Sequence, residues 1–138
     1  MYSITVRNNI LIAHSLPGEV FGPAQNMHGA TYVVDAEFFS ENVNKYNIIM
    51  DLGVVTNILA EVLKFYSYKN LDEVGEFKGI ITSTEFLAKD IYDRICSRLK
   101  KDFSDDYKSL HKLKITLTES NVAWASFEQE IDLSLIHI

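Results

Sequence analysis

The chain has little with which to cross-link, kink or embed itself. A single cysteine, Cys96, in 138 residues excludes an internal disulfide framework. The two prolines, Pro17 and Pro23, both fall in "SLPGEVFGPAQN", which leaves the rest of the chain free to form regular elements. No run approaches the roughly 18 uninterrupted apolar residues that a membrane helix needs. The N-terminus "MYSITVRNN" enters a strand pattern with no apolar signal core, so a cytoplasmic protein without a membrane partner is expected. Positive charge is scarce too: 13 Lys and Arg stand against 19 Asp and Glu, a formal net charge of -6. That balance argues against nucleic acid, whose phosphates call for clustered cations. The only basic cluster, "RLKK" at 98–101, runs straight into Asp102 and reads as a solvated helix end.

What is present is enough apolar material, 47% of the residues, for one core in one domain spanning 1–138. Tyr2, Ile4 and Val6 alternate with polar residues, and after Asn8 and Asn9 the alternation resumes through Ile10 and Ile12 to His14, a long strand with room for a bulge. Residues 15–26 read as a loop. Tyr32, Val34, Ala36 and Phe38 share one face of a second strand, which "NIIMD" at 47–51 extends or pairs with. Val55, Ile58, Leu59, Val62 and Tyr66 then follow the helical period. "TSTE" fits a capping box, with Thr82 as cap and Glu85 reaching back, ahead of a second helix carrying Leu87, Ile91, Ile95 and Leu99. Cys96 falls on the same side of that helix as Tyr92 and Leu99, as a buried thiol or a reactive one. The stretch 102–110 reads as a solvated connection. Leu113, Ile115 and Leu117 alternate again, and "VAWASFEQ" closes a hairpin behind "ESN". The order ββααββ predicts an α+β fold, a four-stranded antiparallel sheet with two helices on one face. Two open edges and a second face that is apolar in "VVDAEFF" and "VAWASF" predict a homo-oligomer closing into a barrel.

Three features could carry chemistry. His14 ends strand one and His28 begins strand two, so both imidazoles come to one end of the sheet. Three imidazoles with an open fourth position make a catalytic zinc site, but Ala30, on His28's face, supplies none. The pair is either the remnant of a metal site, with Glu19 or Gln25 as substitute ligand, or simply hydrogen-bonded to the loop. Glu119 continues the buried parity of its strand, where a carboxylate requires a donor. Its two oxygens match a planar N–H fork; a solvent-exposed strand end or an internal salt bridge would account for it equally. Asp51, Asn70 and Asp72 read as a helix cap and turn formers.

The segments "IAHS", "GPAQNMHGATYVV", "IIMDLG", "YKNLDE", "TSTEFLAKDIYDRI" and "LTESNVAWASFE", in order across nearly the whole chain, resemble the family of 6-pyruvoyl-tetrahydropterin and 6-carboxy-tetrahydropterin synthases. The resemblance implies the tunnelling fold, with subunits joined through their sheets into trimers or hexamers and pterin pockets between them. It implies that Glu119 grips a pterin ring and that Thr84 and Glu85 belong to the same pocket. By the same resemblance, His14, His28 and Ala30 stand at the zinc ligands, so one ligand is missing. Gly22, Pro23 and Ala24 replace the stretch that bears the family's cysteine, and Ser67 and Tyr68 replace the Asp and His of its proton relay. A pocket retained with altered chemistry is the expectation. Its forms are a lyase acting on a 7,8-dihydroneopterin-type substrate or its triphosphate, a non-catalytic pterin or purine binder, and a metal-free aldolase-like enzyme. Tyr68 as proton donor, Glu19 as base and His28 as acid or electrophilic partner are the candidate groups.

Overall fold

Alternation in the first strand pauses at Asn8 and Asn9, yet the ladder runs through them unbroken. In the computed structural model, which describes residues 1–131, β1 (Tyr2–His14) pairs antiparallel with β2 (His28–Ser40) from Tyr2↔Ser40 to His14↔His28. No bulge interrupts Asn8 and Asn9; both simply face water at an exposed stretch of β1. β4 (Lys112–Ser120) adds to the far side of β2, and β5 (Ala123–Glu130) follows it as a hairpin. The four expected antiparallel strands are therefore present. A two-residue strand β3 (Lys69–Asn70) joins parallel to β1, giving the order β3-β1-β2-β4-β5.

Two helices cover the inward face. In α1 (Leu52–Leu63), Val55, Ile58, Leu59 and Leu63 are buried, and Asp51 caps the first turn by accepting the Val54 N–H at 2.9 Å. α2 (Thr84–Asp102) buries Leu87, Ala88, Ile91, Tyr92, Ile95, Cys96 and Leu99. These meet Ile10, Tyr32, Val34, Phe38, Leu113, Ile115 and Leu117 from the sheet in one core. The residues come from three strands and two helices at their expected periods, so a single buried layer holds the fold together.

Several expectations change. Ser83, not Thr82, caps α2, accepting the Phe86 N–H at 3.1 Å. Thr82 turns inward instead, with only 2% exposure. Residues 47–51 form no strand; Ile49 and Met50 plug the core while Asn47 takes a left-handed turn at φ 63. The connection after α2 is a short helix, α3 (Ser104–Ser109), because Tyr107 buries itself there. Within the loop 15–26, residues Glu19–Gln25 form 3-10 turns around Gly22 at φ 52, a backbone geometry that glycine adopts without Cβ strain. The second face of the sheet is largely polar. Arg7 and Asp35 pair across strands at 2.7 Å, Glu37 stands opposite Lys114, and Lys112 pairs with Glu128 while lying over the Phe39 ring. The apolar cover expected for this face is thus not required, although both edges remain open. Residues 132–138 of the apolar tail, His137 included, lie outside the described residues.

Replacing Ser83 by Ala, which deletes the capping oxygen, is expected to cost about 1 kcal/mol in a denaturant titration. Burial is the main reason the Cys96 thiol is pushed from 9.0 up to about 11. A thiol whose folded value is raised contributes stability below its unfolded value and loses it as pH climbs. Unfolding free energy should therefore fall between pH 9 and 11, and Cys96→Ser should flatten the first part of that slope.

Candidate functional site

The antiparallel register places His14 directly opposite His28, and the rings meet edge to face with centroids 4.6 Å apart. His14 is buried, and its Nδ1 lies 2.9 Å from the Thr82 hydroxyl. His28 is half-buried and donates from Nδ1 to the Asn26 carbonyl at 2.9 Å, which leaves Nε2 as its lone-pair nitrogen. Burial first, and then the neighbouring His28, hold the His14 imidazolium below its usual range; Asp72 acts in the opposite direction. Asp72 is itself engaged. Its carboxylate accepts from the Ser15 amide at 3.0 Å and the Ser15 hydroxyl at 2.6 Å, fixing the start of the loop, while Asn70 accepts the Asp72 N–H at 3.0 Å.

Ala30 sits two residues along β2, opposite Ile12, and is partly buried against the core. Among the described residues no group of three His, Cys, Asp or Glu side chains is placed to hold a metal, so neither Glu19 nor any other acid completes the pair. No buried side-chain nitrogen or oxygen among them lacks a hydrogen-bond partner. A catalytic zinc needs three protein ligands besides its open position. The donor set of this chain does not fit one.

A second cluster forms farther along the same end. The register Val33↔Thr118 brings Tyr32 level with Glu119, and β4 carries an irregularity between Thr118 and Ser120, so Glu119 is the residue without a partner on β5. In the single chain Glu119 is exposed, not buried as its parity predicted, because the strand runs out past the core after Leu117. Tyr32 is 2% exposed and its hydroxyl lies 3.3 Å from Thr84 Oγ1. Burial raises the Tyr32 phenol above its usual range. The Thr84 hydrogen bond opposes this, and the charges of Glu119 and Glu85 add to it. Tyr32 thus stands level with Glu119 on the neighbouring strand and bonds Thr84 at the N-terminus of α2, where Glu85 is the next residue. The four residues from Tyr32 to His28 span about 13 Å of strand, so the imidazole pair and the carboxylates are neighbours along an edge and do not touch.

The remaining candidates lie elsewhere. Tyr68 precedes β3 in a left-handed conformation, φ 61, held by its N–H to the Leu11 carbonyl at 2.6 Å. Its side chain is 84% exposed and lines a shallow hollow with Asn8, Asn9, Leu11 and Ser67. Within one chain β1 and β2 lie between it and β4, which carries Glu119. Glu19 is exposed on the 3-10 turns, and Gln25 is spent on the Gly22 carbonyl at 3.1 Å. Two residues that matter at this site were not singled out from sequence. Tyr32 was legible only as a core position, and Thr82 was assigned to the cap that Ser83 makes.

An antiparallel sheet backed by two helices, with imidazoles and carboxylates gathered at one end, defines an α+β protein of the tunnelling-fold class. The family model described as 6-pyruvoyl tetrahydropterin synthase matches residues 3–130. A "6-pyruvoyl tetrahydrobiopterin synthase" of Dictyostelium discoideum is 33% identical over 105 residues, 75% of this chain and 73% of that protein. The solved 6-pyruvoyl tetrahydropterin synthase of Caenorhabditis elegans superposes with a TM-score of 0.77 at 21% identity, over 93% of this chain and 95% of that one. The Plasmodium vivax synthase superposes with the same score at 16% identity, over 94% and 98%. The chain belongs to the 6-pyruvoyl tetrahydropterin synthase family.

Tyr32→Phe keeps the ring and removes only its hydroxyl, leaving the Thr84 hydroxyl free to turn to solvent. The expected loss in thermal or chemical unfolding is about 1 kcal/mol, with no change in secondary structure by circular dichroism.

Proposed function

We propose that this protein binds a reduced pterin at the end of the sheet marked by Glu119 and acts on it as a carbon-oxygen lyase, with a substrate of the 7,8-dihydroneopterin type, in its triphosphate form or without it. The observation that carries this reading is the register that sets Glu119 level with Tyr32, whose hydroxyl meets Thr84 in the first turn of α2. A carboxylate there offers two acceptor oxygens to an amino-pyrimidinone N–H fork. The Thr84 hydroxyl and the first turn of α2 lie beside it, with the positive end of the helix dipole available to a ring carbonyl.

Eliminating an oxygen leaving group needs a base to take a C–H proton and an acid to assist departure. The groups assigned to those tasks are Glu19 as base, Tyr68 as donor and His28 as acid partner. In one chain Tyr68 and Glu119 belong to opposite flanks of the sheet. A homo-oligomer, trimer or hexamer, in which the open β5 edge of one copy meets the β1 and β3 edge of the next would bring such flanks together.

A second reading, favoured by Ala30 and by the lack of a thiol at 22–24, is a protein that binds a pterin or purine ring without turning it over. Incubation with 7,8-dihydroneopterin triphosphate and product analysis separates the two. The expected result is slow product formation, abolished by Glu119→Gln, with ligand affinity reduced at least tenfold, the scale of one charged hydrogen bond. Binding without product replaces the first reading by the second, and absence of binding removes both.

A further inference from the structure

The chain keeps two imidazoles of a three-imidazole pattern, each held through Nδ1, and no third ligand stands beside them among the described residues. The His14 Nδ1 and the Thr82 hydroxyl form a pair that is almost wholly inaccessible, at 1% and 2% exposure. Thr82 opens the run that starts α2: Ser83 caps the helix, and Thr84 bonds Tyr32. The segment before it, residues 78–81, is exposed, and Ile80 is tied back through its N–H to the carbonyl of the buried Phe77 at 2.9 Å. Gly79 turns at φ 77, and Ile80 and Ile81 are each 42% exposed. Within this approach to the helix, Thr82 is the first side chain anchored inside the protein.

We infer that His14 serves in this chain as a positioning residue that pins the start of α2 through Thr82, and that the pocket operates without a zinc ion. The inference rests on the pterin reading only for its consequence, since Thr84 and Glu85 lie one and two residues beyond the cap. The tie itself does not depend on any ligand. His28 supports it by packing its ring edge against His14 while its own Nδ1 is spent on Asn26. A metal centre would draw on both Nε2 atoms and a third ligand; the pinning role needs only the Nδ1 of His14.

That difference is separable by substitution. In His14→Asn the side-chain amide nitrogen replaces Nδ1 and nothing replaces Nε2, whereas His14→Gln reaches toward the Nε2 position and abandons Nδ1. Thr82→Val removes the hydroxyl at constant volume. The readout is hydrogen exchange at the Phe86 and Leu87 amides, which bond to the Ser83 side chain and carbonyl at the first turn of α2. The expected exchange is unchanged in His14→Asn and about tenfold faster in Thr82→Val and in His14→Gln, the loss due to one buried hydrogen bond. Equimolar zinc should leave wild-type exchange unaltered and give no binding isotherm in calorimetry. Equal damage from His14→Asn and His14→Gln, no effect of Thr82→Val, or stoichiometric zinc binding that protects these amides would each overturn the inference. Should Thr82→Val fail to fold, the His14 pair and the zinc titration still decide it. Glu119→Gln should leave exchange at the wild-type rate while abolishing pterin binding, so a failure of the pterin reading and a failure of the pinning role give different results.

Discussion

The start of α2 is held against the sheet by two hydroxyls two residues apart, each tied to a different strand. Thr82 meets His14 on β1, and Thr84 meets Tyr32 on β2. The first tie is shielded from water, where an unmade hydrogen bond costs far more than a made one gains, and the second is partly buried. The N-terminal turn of α2 is therefore fixed relative to the sheet end before any ligand arrives. Everything attributed to the site, from the setting of Glu85 to the environment of Glu119, depends on that registration.

The same ties are made without the residues that the resemblance sets at a ligand and at a thiol. Ala30, Gly22, Pro23 and Ala24 take no part in the two side-chain hydrogen bonds that place α2. Asp72 likewise anchors Ser15 through its carboxylate, holding the mouth of the loop independently of any ion.

Much of the fold was legible because periodicity in this chain is clean. Alternation in β1 and β2 and the 3.6-residue spacing in α1 and α2 reflect burial on one side, and burial is what the structure shows. The failures have particular causes. Thr82 and Ser83 are equally good caps in isolation, and the choice was made by a histidine 68 residues away, which no local pattern contains. Ile49 and Met50 are apolar and strand-like, yet they fill the core from irregular backbone. Tyr107 lies in an acidic stretch, and its burial made a helix of an expected connection. At the site, the register of His14 with His28 followed from strand parity, whereas the exposure of Glu119 did not, because parity cannot say where a core ends.

Trp124 is the chain's only indole, and it stands opposite Thr118 near the hairpin tip with 65% of its surface in water. The core, by contrast, is built around Tyr32, Tyr66 and Phe38. Tryptophan emission from a lone copy would start out red-shifted and barely change colour on denaturation, leaving tyrosine signals to track the interior. A shift toward the blue would instead announce that some other surface had come to rest against this rim.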